Sequence, residues 1–435
     1  MCRWSSVKFR SFPILFAQLI TLLLAISCVN SSALRHAQRG QRLQLKSELA
    51  RKTPSPGQAR ELSRAVLNHE IKAAQDRQDR QFIQTLRGCS SGLPGALVSR
   101  AKTHDGVGAE AAMILLELDQ FDAPERFASD DDGAWRALAA RASSERPETR
   151  QKYYLDPDER VRRAALIAAR EAHDPADADH LLEIARLDPD PITRSHAILT
   201  LGTYKSERVS GALHDRFMKM DEALRLAVVQ AWGTPELYAH GGQKELERLV
   251  AHNTGLEVVA AASILARDLA PEVKNPAMTR MIRFMNEGTT DEQRLALIMM
   301  PVSSVDTTSA LIEKTHAEDT QVAIIAWSRL LSHPTFQKRA EDQLTTLATS
   351  SPDPSLVLQA EAALAAGGSI KVEPLLKNRL GDKDPSIRKV SGIGLVRLGL
   401  IAEAAALLAD EDADVRRTIA CRISAAPSLK LNQIN

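Results

Sequence analysis

Through most of the chain, apolar residues recur at steps of three and four in runs of roughly ten residues, the spacing of short amphipathic helices. The stretch from His173 to Gly202 shows one full cycle. Leu181, Leu182, Ile184, Ala185 and Leu187 mark the apolar face of a first helix. The run Asp188, Pro189, Asp190, Pro191 ends it, because proline disfavours helical backbone at the residue before it and lacks an amide hydrogen, yet suits the first turn of a following helix. Ile198, Leu199 and Leu201 then face inward from a second helix, and Gly202 suits its end. Carboxylates in the turns are placed to cap helix N-termini. Each cycle therefore predicts two short antiparallel helices, neither of which buries its face alone.

The cycle repeats. LDPDERVRRAALIAA, beginning at Leu155, returns 32 residues later as LDPDPITRSHAILTLG, beginning at Leu187. Asp156 and Arg162 in the first copy correspond to Asp188 and Arg194 in the second, and near the C-terminus to Asp382 and Arg388 and to Asp410 and Arg416. Six residues separate Asp from Arg in all four. Weaker copies run through Asp221 and Arg225, through Asp291 and Arg294, and through segments around Thr254, Asp319 and Asp353 that keep the apolar pattern; SDDDGAWRALAARA at Ser129 marks the first recognisable one. A period near 32 predicts a stacked array of helix pairs, an all-α solenoid.

The runs D-P-D-x-x-V-R-R-A-A from Asp156, D-x-D-P-x-I-R-K from Asp382 and D-x-D-A-D-V-R-R from Asp410 resemble the HEAT-like repeat family, in particular its short bacterial variety first named from phycobilin lyases. The resemblance covers about residues 153–425. It implies a structural ladder in which the turn aspartates and second-helix arginines (Asp156, Arg162, Asp188, Arg194, Asp382, Arg388, Asp410, Arg416) link neighbouring repeats. Elementary electrostatics agrees: an aspartate is favoured at a helix start, and an arginine near a turn can pair with the next unit's carboxylate.

The N-terminus has another pattern. Met1 to Arg10 is cationic and Ser11 to Ser27 is apolar apart from its small polar residues and Gln18, shorter than the ~20 residues a spanning helix needs. Residues 1–27 read as a signal peptide, cleaved before Cys28 or after Ala33. Ala25, Ile26 and Ser27 before Cys28 resemble a bacterial lipoprotein signal, which implies lipid attachment at Cys28; ordinary cleavage is the other route. Residues 28–57, with Arg35, Arg39, Arg42, Lys46, Arg51 and Lys52, form a basic stretch ending in TPSPG, a tether or exposed helix. Residues 58–152 read as divergent N-terminal repeats forming a cap, and residues 153–435 as the repeat array.

Composition narrows the class. Only 4% of residues are aromatic against 44% hydrophobic, so the core is mostly Ala, Leu, Ile and Val, which suits closely packed helices. The formal charge is +1, and without Arg3, Lys8 and Arg10 of the leader the balance tips slightly acidic, giving no support to a nucleic-acid partner. Of four cysteines, Cys2, Cys28, Cys89 and Cys421, the last two lie about ten repeats apart in a linear stack, so no disulfide between them is expected in a monomer.

Candidate chemistry competes with structural need at each motif. GCSSG at Gly88, Ser90 and Gly92 matches a hydrolase nucleophile elbow in letters, but a charged helical run precedes it instead of a strand. HDPADADH gathers His173, Asp174, Asp177, Asp179 and His180, which is metal-capable chemistry, yet the repeat needs the same residues as turn and cap. Asp130 to Asp132 lack the ligand spacing of a calcium loop and suit helix capping. His69 and Glu70 form the one His-Glu pair, so the repeated His-Glu metal sites of HEAT-like hydroxylases are missing. Trp135, Trp232 and Trp327 fall in second helices, in the core or else lining a groove as binding anchors.

The expectation is an exported, periplasmic or envelope-located, non-enzymatic scaffold that binds another protein on the concave face of the solenoid, with no cofactor, no metal and no catalytic residue, tethered to a membrane if Cys28 is lipidated. The alternative is an enzyme or enzyme-accessory subunit of the phycobilin-lyase type with a ligand pocket.

Overall fold

The computed structural model describes residues 32–89, 92–267, 276–301 and 305–427, and every regular element among them is helical. The chain forms an α-solenoid of stacked antiparallel helix pairs, divided into two compact units. Unit 2 is the continuous stretch Arg100–Glu373. Unit 1 is built from both ends of the chain, up to Ser99 and from Pro374 onward. This division cuts across the boundary expected at residue 153.

In unit 2 the second helices form a row in which each packs on the next: Gly133–Arg141, Glu159–Ala172, Pro191–Leu201, Glu222–Trp232, Leu256–Leu265, Thr290–Met299, Thr320–Leu330 and Pro354–Ala366. First helices such as Ala178–Leu187 and Gln337–Ser350 pack against their own second helices. The turn chemistry follows the sequence closely. Asp132, Asp158, Asp190, Asp221, Asp319 and Asp353 each accept a backbone N–H of the following helix, satisfying donors that have no partner within it. Pro191 and Pro354 occupy the first turn, where a missing N–H costs nothing. Gly202 caps its helix in ordinary right-handed backbone; what its position demands is closeness, since a Cβ there would stand 2.9 Å from the Ala231 Cα on the next second helix.

The core is made of Ala, Leu, Val and Ile at the predicted positions, including Leu181, Ile184, Ala185, Ile198 and Leu201. Leu187 departs from the expectation. It ends the first helix as that helix meets its turn, so it projects from the edge instead of joining the apolar face.

In unit 1 the helix Pro56–Ala73 packs against the last helix, Ala413–Ala425, which also packs on Pro385–Arg397. The Pro56 helix starts with a reciprocal capping box between Ser55 and Gln58. Two expectations need correction here. Part of the stretch read as a tether or exposed helix is helical but packed: residues 32–38 and Arg42–Arg51 form helices, with Ala37 and Leu45 buried and the second of these helices packed on Ala405–Ala409. Cys89 and Cys421 are joined by a disulfide, with Cα atoms 5.4 Å apart across 332 residues of sequence. Counting layers along a linear stack placed the two cysteines far apart; the packing of both chain ends into one unit brings them together. The leader, Cys28 and Ser90 lie outside the described residues.

Candidate functional site

The recurrent Asp and Arg form one repeated piece of geometry. In Arg162, Nε and Nη2 donate to the two oxygens of Asp188 at 2.7 and 2.8 Å, while Nη1 turns back to the carbonyl oxygens of Asp156 and Pro157 in its own turn. Arg388 repeats this with both oxygens of Asp410 at 2.7 Å and the carbonyls of Asp382 and Lys383. The fork of the guanidinium thus ties the turn of one repeat to the carboxylate of the next, with every donor on Nε and Nη1 aimed at a fixed acceptor. The receiving aspartate is ordered in turn. Oδ1 of Asp156, Asp188, Asp382 and Asp410 accepts the amide of the capping aspartate two residues on.

Burial raises the carboxyl of Asp410, but the Arg388 fork, the Asp412 amide and the Arg388 charge outweigh it and hold the group below the ordinary aspartate range. Asp156 is held low in the same way, its partner being Arg136. Arg136 was missed at the sequence level. It donates from Nε and Nη2 to both oxygens of Asp156, and the signal was present, since Arg136 follows Asp130 by the same six residues.

Where copies diverge, the ladder changes partners. Arg194 keeps the bond from Nη1 to the Asp188 carbonyl, but its Nη2 stands 3.9 Å from the Asp221 carboxylate, which is engaged as a helix cap. Arg225 reaches Glu257 at 2.9 Å, and Arg294 reaches Asp319 at 2.8 Å. Arg416 binds Glu70 on the helix Pro56–Ala73 of unit 1, at 2.9 Å from Nη2, and the carbonyls of Asp410 and Glu411. A second, deeper link had no sequence signal: Arg150 and Asp177, both fully buried, meet at 2.6 Å across 27 residues. Beside them burial pushes the Tyr154 and Tyr204 phenols far up, reinforced by the Asp177 charge, so both stay neutral.

These bonds engage several of the residues that might have carried chemistry. Asp177 of the HDPADADH motif belongs to Arg150, and Asp174 caps the short 3₁₀ turn beginning at Pro175. Glu70 of the His-Glu pair takes Arg416 and Arg417. Asp132 caps a helix and Asp130 accepts the Asp132 amide. Among the described residues no group of three or more His, Cys, Asp or Glu is arranged to hold a metal ion.

The tryptophans are buried, which removes them as groove anchors. Trp135 lies among Ala109, Ala112 and Leu138 with Phe127 and the exposed His104 ring against it; Trp232 stacks on Phe217; Trp327 is buried in its helix with Arg339 over the ring.

What the surface offers instead is a row of aliphatic side chains. Leu155, Leu187 and Met218 are 86, 59 and 72% exposed. Each stands three residues before the capping aspartate of its second helix, at Asp158, Asp190 and Asp221, so the three occupy the same place in three consecutive repeats. At that place other repeats carry Ser129, His252, Asn286, His316, Ser350, Gly381 or the buried Ala409. Ile192, at the first turn of its helix, is 52% exposed beside the middle of the row. Successive helix layers lie about 8–10 Å apart, so the row extends for roughly 20 Å.

Among the described residues are two sizeable cavities. One of about 320 Å³ in unit 1 is lined by His36, His69, Glu70, Glu411 and Arg416 with aliphatic neighbours; another of about 710 Å³ in unit 2 is lined by Tyr238, Glu247, Val250, Leu265, Arg280 and Arg283 among others. No described helix is long and apolar enough to cross a membrane.

No family model matches the chain, and no curated protein matches it. Among solved structures, the crystal structure of Kap121p bound to Ste12p aligns with 86% of this chain and 49% of its own, at 11% identity and a TM-score of 0.30. The chain thus spans about half the length of that structure, and a superposition this loose speaks to neither partner nor activity.

Proposed function

We propose that the protein is a non-enzymatic scaffold, exported from the cytoplasm, that binds another protein. The observation that carries this reading is the row Leu155, Leu187 and Met218: three large aliphatic side chains left in water at equivalent positions of consecutive repeats, where other repeats carry a polar residue, a glycine or, at Ala409, a buried alanine. Exposed apolar surface at a fixed register is unfavourable unless a partner covers it, and solenoids characteristically bind over several repeats at once. The anchors are then aliphatic and sit on the turn edge, not on the concave face where the tryptophans were expected to provide them. Export is supported by the cationic and apolar leader pattern and by the Cys89–Cys421 disulfide, since such bonds persist in oxidising compartments. Tethering through a lipid on Cys28 is part of the same proposal, as is kinship with the short bacterial HEAT-like repeats.

A photo-crosslinking residue at position 187, in native cell envelopes, tests the reading. A discrete protein adduct that disappears when Leu155→Asp and Met218→Asp are introduced is the expected result. No adduct from position 155, 187 or 218, with the chain present in the envelope and folded, would overturn it. The alternative of an accessory subunit with a small-molecule ligand is favoured by the unit 1 cavity, whose polar lining and size suit a compact ligand. A small molecule recovered in stoichiometric amount from the purified protein would replace the scaffold reading with that one.

A further inference from the structure

Unit 1 is made of two chain segments that all of unit 2 separates in sequence. The face between them is built like the face between two successive repeats. Arg416 sends Nη1 to the carbonyls of its own turn, as Arg162 and Arg388 do. In Arg162 and Arg388, Nε and Nη2 take the aspartate of the next repeat. For Arg416, Glu70, from the N-terminal segment, fills that place at 3.2 and 2.9 Å. Arg417 adds a bond to the other Glu70 oxygen at 2.8 Å and one to Asp79 at 2.6 Å, with its guanidinium 4.3 Å from the Phe82 ring. Arg60 donates to the Pro427 carbonyl, and Cys89 and Cys421 close the face covalently.

The two sides of this face are unlike, one N-terminal and one C-terminal, so every copy of the chain carries both halves of it. We propose that this face is an interface a second copy of the chain can complete, N-terminal segment of one to C-terminal segment of the other, and that the Cys89–Cys421 disulfide is what keeps it within a single chain. The occupant follows from the contacts themselves: Glu70, Asp79 and Phe82 on one side meet Arg416 and Arg417 on the other whether or not one backbone carries both. While the disulfide is intact the exchange is closed. Reduction by a dithiol moves two electrons: its thiolate attacks one sulfur, its second thiol resolves the mixed disulfide, and Cys89 and Cys421 leave as two thiols while the reductant becomes a disulfide. Within one chain the segments then meet at an effective concentration set by the intervening chain, and between chains at the protein concentration. The inference is independent of the turn-edge row, which lies entirely in unit 2.

The test uses two full-length variants in a Cys2→Ser, Cys28→Ser background, one with Cys89→Ser and the other with Cys421→Ser. Each retains half of the disulfide. They are unfolded together, refolded as a mixture and then oxidised. The expected product is a disulfide-linked heterodimer whose peptide map joins Cys89 of one chain to Cys421 of the other. The proposal is overturned if both variants refold, by helical circular dichroism, and the mixture stays monomeric, or if Cys421–Cys421 dimers form as readily from the Cys89→Ser variant alone. Should the serine variants fail to refold, the wild-type chain is reduced with a dithiol and reoxidised over a range of protein concentrations. A ratio of linked dimer to monomer that rises about tenfold per tenfold in concentration supports exchange by mass action. An intrachain bond at every concentration overturns it.

Discussion

At the scale of single residues, the same ion pair has very different weight depending on where it sits. Arg388 and Asp410 are each about 6% exposed and share a bidentate bond, whereas Arg208 and Asp179 meet at 2.7 Å with more than half of each side chain in water. Truncating one partner of a buried pair leaves the other charge desolvated, so Arg388→Ala should lower stability by about 3–5 kcal/mol, while Arg208→Ala should change it by less than about 1 kcal/mol. Urea unfolding of the two variants beside the parent measures the difference. The carboxylates add a pH dependence. Asp156 and Asp410 are held below the ordinary aspartate value of 3.8 in the folded protein. Their contribution is therefore complete above 3.8 and is lost as the pH falls through their lowered values. Acid titration of helicity should show unfolding setting in below 3.8, and Asp410→Asn should be destabilised at neutral pH and lose less on acidification than the parent. How far this ladder was legible is uneven. The six-residue step from Asp to Arg marks Arg162, Arg388 and also Arg136, because one turn and one helix start fix both ends of it. Arg150 and Asp177 carry no such step: their meeting depends on how one first helix lies against the next.

At the scale of elements, capping and close approach decide where each helix starts and how near its neighbour comes. Asp158 accepts the Arg160 amide at the start of its helix, and Asp158→Ala should cost about 1 kcal/mol. Gly392 shows the opposite constraint within a helix. Alanine would improve the intrinsic helix propensity by about 1 kcal/mol, but its Cβ would stand 2.5 and 2.6 Å from side-chain methyl groups of Leu407 and Ile419. Overpacking of that kind costs about 1–3 kcal/mol, so Gly392→Ala should lower the melting temperature despite its better propensity. Thermal unfolding followed by circular dichroism reads the sign directly. The helix pairs themselves were legible from the apolar steps and the Asp-Pro turns. Leu187 was misplaced because periodicity assigns a side chain to a face and not to a depth; the last residue of a helix can be on the apolar face by count and past its edge in space.

For the molecule as a whole, the disulfide and the bonds around Glu70 hold together two segments that share no local sequence. In a chain-entropy account, closing 332 residues is worth on the order of 5 kcal/mol to the oxidised protein. Reduction should therefore loosen unit 1 selectively. Hydrogen exchange after treatment with a dithiol should show lost protection in Pro56–Ala73 and Ala413–Ala425, with Glu159–Ala172 in unit 2 unchanged. Equal loss in all three helices would mean that the protein unfolds as one block.

The sequence by itself determined the helix pair, its period, the capping aspartates and the arginine step, because each rests on contacts within a turn, a helix or its immediate neighbour. Only the tertiary structure decided which aliphatic side chains stay in water, that Trp135, Trp232 and Trp327 are buried, and that Cys89 reaches Cys421 while Arg416 reaches Glu70. The last two of those outcomes depend on packing between segments that are not neighbours in sequence. No window of sequence as long as one repeat contains both partners.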